Sequence, residues 1–222
     1  MSISTEALRP GLRDAADRLL LSLSETETDA LLAYLALLQR WNATYNLTSV
    51  RDPAQMLTQH LADCLAVIAP LRREVGDRSG DQECRGLDVG SGGGLPGIVI
   101  SILNPAYRVT CVDTVGKKAA FVQQVVVELK LRNLDAVHAR VEQMKALPFD
   151  VITSRAFASL AAFTALTERH LAGGGRWMAM KGKPPTEELA ALPAGVEVFH
   201  VEQLIVPGLD AERCLVWMRP TG

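Results

Sequence analysis

Apolar residues recur every three or four positions through the first third of the chain. Over residues 5–23 they form a stripe that includes Leu20 and predicts a helix with one buried face. Ser24 and Glu27 then have the spacing of a capping box, in which each side chain accepts a hydrogen bond from the other residue's backbone N–H. A second helix is therefore predicted from this point to about Asn42.

A third helix is predicted after a polar, turn-like stretch. Asp52 suits an N-cap and Pro53 suits the first helical position, where its missing N–H has no helical partner to lose. Pro70 is expected to end this helix, and the residues after it are charged and include glycine. The pattern predicts a helical cap over residues 1–71 and a connecting segment over residues 72–85.

Beyond the connecting segment, short apolar runs alternate with helical patterns. Strands are predicted over residues 87–89, 108–112, 136–138, 149–153, 176–180, 196–206 and 214–218, and helices over residues 96–103, 117–131, 160–171 and 186–192. Three glycines, residues 173–175, predict a turn before the fifth strand. The last two strands have no helix between them and should form an antiparallel hairpin. Residues 86–222 are thus predicted to be an α/β domain with a seven-stranded, mostly parallel, Rossmann-like sheet.

The first predicted strand is joined to its helix by a glycine-rich loop, residues 90–97. From Gly92 to Gly97 this loop fits G-x-G-x-x-G, the fingerprint of a dinucleotide site at a helix N-terminus. That match begins three residues past Val89, the last strand residue, and Pro96 removes one backbone donor from the turn. A nicotinamide dinucleotide therefore stays as the alternative cofactor.

The same loop also fits Asp88-x-Gly90-x-Gly92-x-Gly94. Asp88 is expected to point into the crevice, where a carboxylate would repel a pyrophosphate but suits the ammonium group of S-adenosylmethionine (SAM). Gly90 and Gly92 let the backbone approach a ligand closely. Asp113, which ends the second strand, suits the ribose hydroxyls of either cofactor. SAM is the favoured cofactor, and a glycine turn that serves only tight packing is the remaining alternative.

Composition limits the class of protein. With 48% hydrophobic and 5% aromatic residues, the 222-residue chain can build a core of aliphatic side chains. The four cysteines are scattered without a C-x-x-C pair and are expected to be buried, and no metal site is predicted. No apolar run is long enough to span a bilayer, and the N-terminus lacks a signal-peptide pattern. A cytoplasmic protein is expected.

The charge distribution is compatible with a phosphate-binding face. The net charge is −2, yet residues 117–183 carry 11 Lys and Arg against 5 Asp and Glu. One basic face on an acidic body is typical of nucleic-acid binding. The alternative is an ordinary solvated surface, because residues that are close in sequence need not share a face.

Short motifs along the chain are more specific. They are Tyr45-Asn46-Leu47-Thr48, Arg51-Asp52-Pro53, the loop from Asp88 to Ile98, Gly116-Lys117-Lys118, Arg140-Val141-Glu142, Ser154-Arg155-Ala156-Phe157-Ala158 and Met180-Lys181-Gly182. In this order they resemble the bacterial 16S rRNA guanine-N7 methyltransferases, the glucose-inhibited division protein B (GidB/RsmG) family. The resemblance runs from about Trp41 to Met218 and implies the fold of a class I SAM-dependent methyltransferase.

The resemblance also implies roles for single residues. Gly90 and Leu95 would line the SAM pocket, Val141 and Glu142 would lie near the adenine, and Arg155 would lie near the cofactor and the target base. Glu142 follows the third strand and Arg155 the fourth, at the sheet edge where cofactors bind. The alternatives are a solvated helix residue for Glu142 and a surface salt bridge for Arg155.

Six basic residues are candidates to face RNA: Lys117, Lys118, Arg155, Arg176, Lys181 and Lys183. Lys117 and Lys181 follow strand ends near the cofactor edge, where lysines can hold phosphates without reading sequence. The alternative for these lysines is a solubilising surface. The implied partner is 16S rRNA within the small ribosomal subunit or its precursor, and a monomer is expected.

The implied reaction demands little of the protein. Guanine N7 carries a lone pair and no proton, so no general base is needed, and positioning should supply most of the rate. No catalytic side chain is predicted, and the four histidines, His60 included, are expected to be packing or surface residues. Two rival functions stay open. They are an NAD-dependent oxidoreductase and a non-catalytic RNA-binding ribosome assembly factor on the same fold.

Overall fold

A computed structural model describes residues 5–76, 83–155 and 157–221. Part of the predicted connecting segment, and Ala156 of one family motif, lie outside the described residues. The N-terminal part is helical. Its helices are α1 (Arg9–Arg18, entered through a 3₁₀ turn at Thr5–Leu8), α2 (Glu25–Tyr45), α3 (Pro53–Met56, Leu57–Ala62 and Asp63–Leu65, the middle segment π-helical) and α4 (Ile68–Val75).

Local capping signals set the starts of two of these helices. Ser24 and Glu27 form the predicted capping box on α2: Glu27 N donates to Ser24 Oγ at 3.2 Å, and Ser24 N donates to Glu27 Oε2 at 2.7 Å. The Asp52 carboxylate accepts from Gln55 N at 2.9 Å and caps α3. Both predicted helix starts are confirmed, because the residues that decide them are neighbours in the sequence.

Two predictions for this region are wrong. Helix α1 ends at Arg18, and Leu20 has a φ of 57° and is 93% exposed, so it lies outside the apolar stripe. Pro70 lies in the first turn of α4 instead of at a helix end. Proline is tolerated there because the N–H that it lacks would have no helical partner. Helical structure therefore continues to Val75, beyond residue 71.

The rest of the chain forms one seven-stranded sheet. The strands are β1 (Cys84–Val89), β2 (Tyr107–Asp113), β3 (Leu134–His138), β4 (Phe149–Arg155), β5 (Leu171–Lys181), β6 (Val196–Leu204) and β7 (Arg213–Pro220). Their order is β3-β2-β1-β4-β5-β7-β6, parallel from β3 to β5 and antiparallel for β5–β7 and β7–β6. The predicted sheet and its C-terminal hairpin are confirmed.

Between these strands in the chain lie helices that pack against the sheet. They are α5 (Gly97–Leu103), α6 (Gly116–Glu128), α7 (Leu160–Thr167) and α8 (Thr186–Ala190), with 3₁₀ turns at Val141–Gln143 and Glu168–His170. The predicted turn at residues 173–175 lies within β5. The β4–β5 pairing shifts register there, between Phe149 and Val151, so the strand accommodates the glycines without ending.

The N-terminal helices and the sheet share an apolar core. Tyr34 and Trp41 of α2 pack against Phe121 of α6, with ring centroids 6.2 and 5.6 Å apart. The Tyr34 hydroxyl donates to Gly93 O at 2.9 Å, so α2 also holds the glycine loop. The four cysteines are buried, as predicted. Within the described residues, no helix is long and apolar enough to cross a membrane.

Candidate active site

Strands β1, β2 and β4 end at one edge of the sheet, and the glycine loop follows β1 there. Gly90 (φ 66°) and Gly92 (φ 58°) adopt left-handed conformations that other residues rarely reach. A Cβ built on Gly90 would meet no atom within 4 Å. The open space beside Gly90 is therefore where a ligand can approach the loop backbone.

The Asp88 side chain faces away from that space. It is fully buried, and its Oδ2 accepts a hydrogen bond from Gly97 N, the first residue of α5, at 2.8 Å. The prediction that this carboxylate points into the crevice is wrong, because side chains alternate along β1 and Asp88 faces α5. Burial raises the pKa of Asp88 to about 7, against the opposing effect of the Gly97 bond. Asp88 therefore stabilises the loop from beneath.

Asp113 holds the same loop from β2. Its Oδ2 accepts from Gly92 N at 2.9 Å and its Oδ1 accepts from Val115 N at 2.8 Å. The side chain is buried, and it also lines a cavity at the end of the strand. Each carboxylate oxygen can accept a second hydrogen bond, so Asp113 can serve the loop and a ligand together.

A cavity of about 280 Å³ lies between the ends of β1 and β2 and the 3₁₀ turn at Val141–Gln143. It is termed the β2-side cavity. Its lining includes Val89, Gly90, Asp113, Val141, Glu142 and Phe157. Four residues predicted to bind the cofactor thus meet here. Apolar walls beside two carboxylates suit a nucleoside, which has a flat base and hydroxyl donors.

A second cavity, of about 260 Å³, opens on the other side of Gly90 and is termed the loop cavity. Residues 90–93, Leu95, Leu38, Leu47, Thr48, His60, Lys118 and Arg155 line it. Gly90 borders both cavities, so an extended ligand that crosses Gly90 would occupy both. The helical cap supplies one wall of the loop cavity through α2 and the segment that follows it.

Lys117 and Lys118 are neighbours in sequence but have different surroundings. Lys118 lines the loop cavity, and within the described part of the chain its ammonium has no ion pair or hydrogen bond. The exposed Lys117 ammonium donates to Tyr45 O at 2.8 Å. Both were predicted to face RNA. The structure places Lys118 where the cofactor is expected instead.

A third cavity, of about 460 Å³, lies beside the ends of β4 and β5 and is termed the β5-side cavity. Its lining includes Thr48, Val50, Gln59, His60, Asp63, Arg155, Met180, Lys181 and Arg213. Thr48, His60 and Arg155 also line the loop cavity. The three cavities therefore follow one another along the carboxyl edge of the parallel strands.

Arg155, the last residue of β4, is held at the boundary of two cavities. Its Nη1 donates to Gln59 O at 3.1 Å and to Asp63 Oδ2 at 3.3 Å. Asp63 is 2% exposed and also accepts from Arg213 Nε at 2.8 Å. The sequence motifs predict Arg155 at this site, but they give no indication of Asp63 or Arg213. Helical periodicity shows Asp63 as a polar position only, and Arg213 lies in a C-terminal segment of the family resemblance that suggests no chemical role for it.

The other basic candidates differ in position. The Lys181 ammonium bonds Glu188 Oε2 at 2.8 Å at the carboxyl end of β5, and Lys183 is exposed in the turn that follows. Arg176 lies five residues before Lys181, with its Nη1 3.8 Å from Glu74 Oε2. Five strand residues span roughly 16 Å, so the backbone of Arg176 lies toward the opposite edge of the sheet. Arg176 therefore lies apart from the other basic candidates, and its role toward RNA stays a prediction.

His60 is the histidine that the tertiary structure brings to the site. It is 6% exposed, and its Nε2 lies 3.0 Å from Thr48 Oγ1. Burial, with a further effect of nearby Arg155, lowers the pKa of His60 to about 4. The ring is therefore neutral at pH 7. The apolar pattern around His60 indicated packing, and nothing in the sequence pattern indicated that the packed position borders two cavities.

The site offers no thiolate or metal cluster among residues 5–76, 83–155 and 157–221. Burial raises the pKa of the Cys64 and Cys111 thiols, which keeps both protonated at neutral pH. No group of three or more His, Cys, Asp or Glu in these ranges could hold a metal ion. The arrangement can bind a ligand, orient it and exclude water from it.

The chain is similar in sequence to a known family over most of its length. Residues 27–216 match the family described as rRNA small subunit methyltransferase G. A protein named ribosomal RNA small subunit methyltransferase G from Leptothrix cholodnii is 64% identical over 198 residues, 89% of each chain. A protein of the same name from Paracidovorax citrulli is 56% identical over 227 residues, 99% of this chain and 93% of that protein.

Solved structures share the fold at low sequence identity. A mutant of MtNAS in complex with S-adenosylmethionine matches with a TM-score of 0.59 and 16% identity, over 98% of this chain and 92% of that chain. TrmN from Thermus thermophilus matches with a TM-score of 0.55 and 19% identity, over 74% and 53%. The fold is that of the class I SAM-dependent methyltransferases, as predicted.

Proposed function

This chain belongs to the rRNA small subunit methyltransferase G family, and we propose that it transfers the methyl group of SAM to N7 of one guanine in 16S rRNA. One observation carries the proposal. Three adjoining cavities follow the sheet edge, with Gly90 at one junction and Arg155 at the other. A donor that crosses Gly90 would have its sulfonium centre, which joins the adenosine and methionine parts, at that junction, and the adjoining third cavity offers room for an acceptor base.

The β2-side cavity fits the adenosine part of SAM. Val141 supplies an apolar wall for the adenine. Glu142 offers a carboxylate near the base, and Asp113 has lone pairs left for ribose hydroxyls. These assignments combine the family resemblance with the positions of the three residues in one cavity.

The loop cavity fits the methionine part. Gly90, Gly92 and Leu95 leave room along the loop, as the open space beside Gly90 indicates. Lys118 is a cation for the carboxylate group, with no competing partner in the described part of the chain. Asp88 contributes indirectly, because its bond to Gly97 N fixes the point where the loop enters α5.

The chemistry rests on position. SAM, when bound, supplies an electrophilic methyl group on a sulfonium centre. The N7 atom of guanine already carries a lone pair, so no side chain needs to remove a proton. Asp63 holds Arg155 at the boundary of the loop cavity and the β5-side cavity, and His60, which lines both cavities, is neutral at pH 7. The protein's contribution is alignment and exclusion of water.

The nicotinamide alternative has less support. In a dinucleotide site, backbone N–H groups of the glycine loop and helix start receive the pyrophosphate. Here Gly97 N donates to Asp88 and Gly92 N donates to Asp113, so both donors are already engaged. A non-catalytic assembly factor would have no need of the open space beside Gly90. Methyl transfer accounts for both features.

The proposal extends to the organisation of the chain. The helices between Arg9 and Val75 act as a cap on the methyltransferase domain, which begins at β1. Leu38 and Leu47 of the cap region line the loop cavity opposite the glycine loop. We expect a monomer that works in the cytoplasm on the small ribosomal subunit or its precursor.

The test is methyl transfer from radiolabelled SAM to small ribosomal subunits purified from cells that lack this gene, followed by mapping of the modified base. Label at N7 of one guanine is the expected result. Gly90→Val is the control, because its side chain would fill the space beside the loop in a backbone conformation that valine rarely adopts. Label at another atom, or none despite SAM binding, would contradict the proposal.

A further inference from the structure

The β5-side cavity contains a charged cluster that SAM binding does not explain. Asp63, on α3, is almost completely buried. Its Oδ2 accepts a hydrogen bond from Arg155 Nη1 at 3.3 Å, and its Oδ1 accepts one from Arg213 Nε at 2.8 Å. A single carboxylate thus fixes a cation from the end of β4 relative to a cation from the start of β7. Only Arg155 of the three also lines the loop cavity.

Arg213 retains donors for a ligand. Its Nε donates to Asp63 and its Nη1 donates to Glu212 O at 2.8 Å, so the described residues occupy two of its five N–H donors. The side chain is 25% exposed and lines the cavity. A planar guanidinium with free N–H groups matches the oxygens of a phosphate.

The charges around this cavity favour an anion. Arg155, Lys181 and Arg213 line it, and their carboxylate partners are Asp63 and Glu188, which leaves one positive charge in excess. The volume of about 460 Å³ lies in the range of small-molecule sites. One nucleotide of an RNA strand would fit this volume, and its phosphate would supply the negative charge that the cavity lacks.

We propose that Arg213 binds the RNA phosphate next to the target guanosine, and that Asp63 is a positioning residue that sets Arg213 relative to Arg155. The inference rests on the proposed function, and it places the acceptor nucleotide in the β5-side cavity. The cavity adjoins the loop cavity, so a nucleotide held by its phosphate at Arg213 would have its base near the methyl donor. Without Asp63, two like charges would lose the group that neutralises and aligns both.

The first test compares variants of Arg213 in the full chain. Arg213→Met should raise the Kd for small ribosomal subunits about tenfold and reduce the slope of log Kd against log salt by about one. The Kd for SAM, measured by calorimetry, should stay within about twofold of the wild type. Arg213→Lys should recover part of the affinity, because it keeps the charge and loses the planar fork.

Arg219→Met is the matched control. Arg219 lies on the same strand and pairs with Glu197 at 2.7 Å, on the exposed far end of the hairpin. Its loss should change neither Kd nor salt slope. An unchanged Kd and salt slope in Arg213→Met, or an equal change in the control, would overturn the phosphate assignment.

Asp63→Asn tests the positioning role. It should weaken subunit binding, and its further effect in an Arg213→Met background should be smaller than in the wild type, because only the contact of Asp63 with Arg155 then remains to be lost. Fully additive losses would overturn the role of Asp63. If Asp63→Asn does not fold, the Arg213 series still decides the phosphate contact. A wild-type protein that transfers no methyl group to small subunits would instead refute the proposed function.

Discussion

The glycine loop and the β5-side cavity are built in opposite ways. In the loop, Asp88 and Gly97 lie nine positions apart and bond each other directly, and the glycines between them set the turn. In the cavity, Asp63, Arg155 and Arg213 come from α3, β4 and β7 and meet only in the folded chain. The glycine loop is therefore a local structure that a motif reveals, whereas the β5-side cavity is assembled from distant segments.

The largest effect is expected in the loop, where only glycine leaves enough space. A Cβ on Gly97 would lie 2.4 Å from Cys111 Sγ and 2.9 Å from Asp88 Oδ2. Gly97→Ala should lower the free energy of unfolding by about 3 kcal/mol. SAM binding should weaken at least about tenfold as the loop shifts. Denaturant unfolding and calorimetry measure the two effects.

Gly93→Ala is the control for this clash. Its Cβ would meet the Leu38 and Tyr34 side chains at 3.5 Å, an ordinary contact distance, and its φ is not in the left-handed region. The stability of Gly93→Ala should stay close to that of the wild type. Similar losses in both variants would show that the loop tolerates no side chain at all, and the specific role of the Gly97 contact would be wrong.

The two regions should also respond to pH in opposite directions. Burial raises the pKa of Asp88 from 3.8 to about 7, so the folded state binds the proton more tightly and stability from this group falls as pH rises through that range. Burial and Arg155 lower the pKa of His60 from 6.5 to about 4, so stability from this group is lost as pH falls through that range. In the wild type the two slopes oppose each other.

Single variants should separate these slopes. Asp88→Asn keeps an acceptor for Gly97 N and should leave stability rising with pH from about 4 to 6.5, by up to roughly 3 kcal/mol. His60→Gln should leave stability falling with pH from about 4 to 7. Denaturant unfolding at a series of pH values gives the three profiles. If both variants and the wild type gave parallel profiles, neither Asp88 nor His60 would be the source of the pH dependence.

A smaller effect, on binding alone, is expected at Lys118. If its ammonium holds the SAM carboxylate, Lys118→Met should weaken SAM binding about tenfold. Binding of 5′-deoxy-5′-methylthioadenosine, which has no carboxylate, should not change. Lys117→Met is the matched control, because the Lys117 ammonium bonds Tyr45 O outside the cavity. A loss of subunit affinity with unchanged SAM affinity would assign Lys118 to RNA instead.

The smallest effect is expected at the opposite edge of the sheet. Arg176 is paired with Glu74 and lies over the Phe199 ring, 5.7 Å from its centroid. Arg176→Ala should change the Kd for small ribosomal subunits by less than about twofold. A loss as large as that expected for Arg213→Met would show that the RNA extends around the sheet, and the difference between the two edges would disappear.

Several features were determined by the sequence alone. The capping box at Ser24, the Asp52 cap, the order of strands and helices, and the left-handed glycines of the loop all depend on residues close together in the chain. Local backbone geometry and apolar periodicity decide them, and both can be read from neighbouring residues. The family motifs likewise placed Gly90, Val141, Glu142 and Arg155 at one sheet edge.

Only the tertiary structure decided the rest. Asp88 has the right residue type for a ligand group, but strand alternation turns it under α5. Lys118 and Lys117 look alike in the sequence, yet one lines a cavity and the other bonds Tyr45. Asp63, His60 and Arg213 acquire their surroundings from elements far apart in the chain. Burial, ion pairing and cavity walls arise from long-range packing, and a local pattern carries no information about which distant segment will supply them.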